Sequence, residues 1–77
     1  MKEELVLKTF GSLIQRIRND RGFTQEKLGE LAGLDRTYVS SVERGHRNIS
    51  ILNIVKFATA LSVSPSSLLE NIGGTND

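Results

Sequence analysis

Apolar side chains recur along this chain at intervals of three and four residues, the spacing of one face of an α-helix. Phe10, Leu13, Ile14 and Ile17 draw the first such stripe. The spacing predicts a helix that starts between Glu3 and Lys8 and ends before Gly22, a residue suited to a left-handed C-terminal cap. Thr24 is the expected N-cap of a second helix, with Glu26 in its first turn favourable to the helix dipole. Leu28, Leu31 and Ala32 form its predicted buried face, and Gly33 its end. Asp35 then caps a third helix whose only strongly apolar positions are Val39 and Val42, and Gly45 stops it. Ser50 caps a fourth helix, with Ile51, Ile54, Ala58 and Leu61 predicted to face inward. Ser64 and Pro65 open a short fifth helix as N-cap and first helical residue. The expected fold is all-α: one compact five-helix domain over residues 1–72, followed by a flexible tail at 73–77.

Composition narrows what such a domain can do. Seventy-seven residues lie near the lower limit for a self-sufficient core, so dense helix packing or self-association should supplement it. With no cysteine there is neither a disulfide framework nor a cysteine-based metal site. His46, the only histidine, has no partner ligands beside it, so no metal and no cofactor is expected. The N-terminal segment lacks a signal-peptide layout, and no apolar run approaches the roughly 20 residues that span a bilayer. A cytoplasmic protein with no membrane association is the expectation. The formal net charge is only +1, yet Arg36, Arg44 and Arg47 face a single acid, Glu43, between residues 36 and 48, while five of the nine acids precede residue 31. That local basic patch is the feature to follow.

Only "GLD" separates the second and third helices, and so short a turn forces two short helices to cross steeply. Gly29 would let their backbones approach, and Gly33 would supply positive φ at the turn. Leu28, Ala32, Leu34, Val39 and Val42 would meet beneath the crossing.

The segment "GFTQEKLGELAGLDRTYVSSVERG" resembles the helix-turn-helix of phage repressors, here spanning 24–44, and the likeness extends over residues 8 to 70. With Val39 and Val42 inward, Arg36, Thr37, Ser40, Ser41 and Arg44 fall on the outward side of the third helix. Their short hydroxyl side chains leave a slim face that can enter a major groove about 12 Å wide, with arginines able to reach guanine edges or phosphates. These five are the expected base-reading residues. Gln25, at the start of the second helix, is expected to meet a phosphate, as are Tyr38, Arg47 and Asn48. The resemblance further implies that Glu43 pairs internally with Arg18, a structural rather than a reading role.

The run "DRTYVSSVERGHRNIS" is similar to the controller proteins of restriction–modification systems, which share an Arg-Thr-Tyr helix start and an Arg-Asn loop. That resemblance implies a homodimer that binds an inverted-repeat operator on double-stranded DNA and first activates, then represses, its own and the endonuclease gene. Leu52 and Val55, with Leu68 and Leu69, are apolar residues left over by so small a core and are the expected dimer interface. By analogy with phage repressors, Glu26 and Glu30 would contact RNA polymerase. Other readings within the fold are a phage-type repressor or an antitoxin autorepressor; from a different class, a protein-interaction module that has lost DNA binding. No enzyme is expected, since no nucleophile–histidine–acid set or phosphate-binding glycine loop can be assembled, and no small-molecule ligand is expected.

Overall fold

The computed structural model describes residues 1–72; the predicted tail at 73–77 lies outside them. Helix α1 runs Glu3–Asp20, α2 Gln25–Ala32, α3 Arg36–Glu43 and α4 Ile51–Leu61. The expected fifth helix is a single 3₁₀ turn, Pro65–Leu68, so the fold has four α-helices and no strand among the described residues. The backbone of that turn closes through i→i+3 bonds, Ser67 N–H to the Ser64 carbonyl at 3.1 Å and Leu69 N–H to that of Ser66 at 3.0 Å.

Local signals set the helix ends. The side chains of Thr24, Asp35, Ser50 and Ser64 each accept a hydrogen bond from a backbone N–H in the first turn they cap. At the C-terminus of α2, Gly33 takes φ +70°, the conformation that lets the chain reverse in three residues. Gly45 does the same after α3 at φ +76°, and the His46 N–H returns to the Ser41 carbonyl at 2.9 Å.

The core joins Phe10 and Ile14 of α1, Leu28 of α2, Val39 and Val42 of α3, Phe57, Ala58 and Leu61 of α4, and Leu68 of the 3₁₀ turn. Helix α3 packs on both α1 and α2, and α4 closes the bundle against α2 and the 3₁₀ turn. Two contacts depend on glycine. A Cβ on Gly29 would stand 2.6 Å from the Leu34 carbonyl oxygen. One on Gly11 would overlap the Val42 carbonyl oxygen and stand 2.7 Å from that of Glu43, so α1 crosses the last turn of α3 backbone to backbone.

Three predicted positions are corrected. Leu31 is 47% exposed, and Gly29 takes its place on the buried face of α2. At about 100° per residue, Leu31 lies well off the arc shared by Leu28, Gly29 and Ala32. Ile51 is 74% exposed, because the inward arc of α4 centres on Ile54, Phe57, Ala58 and Leu61; Phe57 was not among the predicted inward residues. Leu68, expected at a dimer interface, is fully buried, since the 3₁₀ turn folds it back onto α4.

Candidate nucleic-acid interface

Gln25 on α2 and Arg36, Thr37, Ser40 and Arg44 on or beside α3 line one open groove of about 230 Å³. The close packing of α2 on α3 makes this possible. Gly29 lets the backbones touch, which brings the first residue of α2 alongside the outward flank of α3. Arg36, Thr37 and Arg44 are exposed, and Ser40 is half-buried. Arg44 donates from Nη1 to the Ser40 hydroxyl at 3.0 Å, so that hydroxyl keeps its own proton for an outside acceptor. Guanidinium groups only donate, hence the groove is matched to acceptors such as guanine O6 and N7 or phosphate oxygens.

Glu43, the one acid between residues 36 and 48, is turned away from the groove. Glu43 is buried and accepts from Arg18 twice, Nε at 2.6 Å and Nη2 at 3.1 Å. Arg18 spends Nη1 on the Phe23 carbonyl at 2.8 Å, which ties the same guanidinium to the loop leading into α2. Gln25 donates its amide to Glu43 Oε1 at 2.9 Å. Gln25 therefore does two things: it anchors α2 to α3 through Glu43, and it borders the groove. The first of these roles was not foreseen in the sequence, where Gln25 and Glu43 are 18 residues apart. Among the described residues, no buried side-chain nitrogen or oxygen lacks a partner, so the network is closed.

Of the other predicted contacts, Ser41 is half-buried and does not line the groove, lying further round α3 than Thr37. Tyr38 is half-buried: its ring stacks on Phe57 with centroids 6.5 Å apart, and its hydroxyl accepts from Asn53 Nδ2 at 2.9 Å. Arg47 is exposed with its guanidinium carbon 5.2 Å from the Tyr38 ring centroid, a cation–π contact that holds the loop after α3 against that helix. Asn48 is exposed and borders a separate depression with Glu3, Val6 and Leu7. His46 is exposed, as are Glu26 and Glu30 on α2. The described residues hold no cluster of His, Cys, Asp and Glu able to bind a metal, and none of their helices is long and apolar enough to cross a membrane.

A second surface lies on α4. Leu52 is 70% exposed, and Ile51 and Val55 are also exposed; Leu69, which follows the 3₁₀ turn, is exposed as well. On a helical projection Ile51, Val55 and Leu52 share one arc of about 100°, which adjoins the core-facing arc of Ile54, Phe57, Ala58 and Leu61.

A family profile described as helix-turn-helix matches residues 14–68. The control protein C.BamHI of Bacillus amyloliquefaciens is 45% identical over 62 residues, covering 79% of this chain and 76% of that protein. The crystal structure of the restriction-modification controller protein C.AhdI from Aeromonas hydrophila is similar with a TM-score of 0.79 at 50% identity, covering 80% of this chain and 94% of that one. The controller protein C.Esp1396I, solved as a tetramer in complex with its natural 35 base-pair operator, is similar with a TM-score of 0.77 at 37% identity, covering 84% of this chain and 86% of that one.

Proposed function

The chain belongs to the helix-turn-helix family, and from that premise we propose that it is a sequence-specific DNA-binding transcriptional regulator, the controller protein of a restriction–modification system. One observation carries the reading: Gln25, Arg36, Thr37, Ser40 and Arg44 converge on an open groove with no carboxylate in its lining, while Glu43, the one acid between residues 36 and 48, is turned inward onto Arg18. A groove lined by donors and by no acid suits a DNA groove and its phosphates. Arg36, Thr37, Ser40 and Arg44 read bases. Gln25, Tyr38, Arg47 and Asn48 grip the sugar-phosphate backbone.

The protein works as a homodimer, with Leu52, Val55 and Leu69, joined by Ile51, as the self-complementary face. A two-fold axis through α4 sends two copies of α3 into successive major grooves about 34 Å apart, so the operator is an inverted repeat. One half-site alone offers too little interface for useful specificity, and occupancy therefore rises steeply with protein concentration. That steepness suits a timer that delays one gene until another product has accumulated. The exposed acids Glu26 and Glu30 are the residues this reading assigns to RNA polymerase during activation. The protein acts in the cytoplasm, and the role needs no cofactor and no catalysis.

Selection of binding sites from a randomised duplex library at near-physiological salt tests the reading. The expected product is an inverted repeat with half-sites one helical turn apart, and Arg36→Ala should relax one position in each half-site at a cost of about 1–3 kcal/mol. Recovery of no motif, together with weak binding that lacks a steep salt dependence, would overturn it.

A further inference from the structure

Tyr38 leaves the flank of α3 with its side chain held from three directions. Phe57, fully buried in the core, stacks on the ring at an interplanar angle of 14°. Arg47 lies over the ring, and Asn53, from the first turn of α4, donates to the hydroxyl at 2.9 Å. A hydroxyl carries one proton and two lone pairs, and an amide NH₂ can only donate. Asn53 therefore occupies a lone pair and leaves the phenolic proton uncommitted; no acceptor among the described residues takes it. Phosphate oxygens accept and never donate, so the free proton has the polarity that a DNA backbone contact needs.

We propose that Asn53 is a positioning residue of the DNA-binding surface, whose amide fixes the hydrogen-bond polarity of Tyr38 so that the hydroxyl donates outward to a phosphate. The assignment rests on the DNA-binding reading above. An acid at this position would reverse the arrangement: Tyr38 would donate inward to the carboxylate and present lone pairs to the phosphate. Asn53 also sits one residue from Leu52, so the same turn of α4 carries the tether to the reading helix and part of the exposed apolar face.

The experiment is a double-mutant cycle on binding to the selected operator duplex, read by fluorescence anisotropy, with thermal unfolding followed in parallel. The variants are Asn53→Asp, Asn53→Ala, Tyr38→Phe and the Tyr38→Phe/Asn53→Asp double. Asp is nearly isosteric with Asn and is favourable in the first turn of a helix, so the melting temperature of Asn53→Asp should be maintained or raised. Its binding should fall by about tenfold per half-site, the scale of one lost charge-assisted hydrogen bond, and further than that of Asn53→Ala. In the Tyr38→Phe background the same substitution should cost only about two- to threefold, the general repulsion between an added charge and DNA. Equal losses in both backgrounds, unchanged affinity of Asn53→Asp, or a loss that tracks a lowered melting temperature would overturn the role of Asn53 while leaving DNA binding intact. Failure of the unmodified protein to bind any duplex selectively would remove the DNA-binding reading itself, and this inference with it.

Discussion

Replacing Arg18 with methionine isolates the network behind the groove. The substitution keeps an unbranched apolar stem but removes both bonds to Glu43 and the bond to the Phe23 carbonyl. The Glu43 side chain is 2% exposed and would keep only the Gln25 amide as a partner. An uncompensated buried charge of this kind costs about 3–5 kcal/mol. A chain of this length has a total stability of about 4–12 kcal/mol, so the loss is a large fraction of what holds it folded. At about 4–8 °C per kcal/mol, the melting temperature should drop by at least about 12 °C. Urea and thermal unfolding followed by circular dichroism measure this directly. The informative control is Arg18→Met/Glu43→Leu. If the cost of the single variant is the stranded charge, the double should return to within about 2 kcal/mol of the unmodified protein, because an apolar pair replaces a buried ion pair at little net cost. A single-variant cost below about 1 kcal/mol, or a double as unstable as the sum of the two singles, would refute the reasoning.

Two further outcomes follow from packing and exposure. Gly11→Ala gains about 1 kcal/mol of helix propensity but forces α1 away from the Val42 and Glu43 carbonyls, for a net destabilisation of about 2 kcal/mol by urea titration; a stabilised variant would show that α3 can give way there. Leu52→Glu, at an exposed position, should change the folding stability of the monomer, compared at concentrations where both proteins are monomeric, by no more than about 0.5 kcal/mol, yet keep the protein monomeric at high micromolar concentration in analytical ultracentrifugation and weaken operator binding, whereas an unmodified protein that already sediments as a monomer at high micromolar concentration would remove the dimer.

Much of the fold was legible because its signals are local. Caps at Thr24, Asp35, Ser50 and Ser64 act on backbone N–H groups two or three residues away, and glycines 33 and 45 act on their own φ angles. Such features need no partner from elsewhere in the chain. Helical periodicity likewise marked Phe10, Ile14, Leu28, Val39 and Val42 as core. Phe57 could have been read the same way, since it stands three residues from Ile54 and four from Leu61. The errors at Leu31 and Ile51 arose because an apolar residue at helical spacing is buried only if another element covers its arc, and here none does.

The sequence by itself determined the helices, their ends and the outward set on α3, because each follows from neighbours within about one turn. Only the tertiary structure decided which of those residues act together. It placed Gln25 in the groove and on Glu43, gathered Tyr38, Arg47, Asn53 and Phe57 into one cluster, and withdrew Leu68 from the surface. These contacts join residues brought together by the angle at which helices cross. The approach at Gly29 follows from the short turn beside it, but that at Gly11, against the Val42 and Glu43 carbonyls more than 30 residues away, is a property of packed surfaces that no periodicity along the chain encodes.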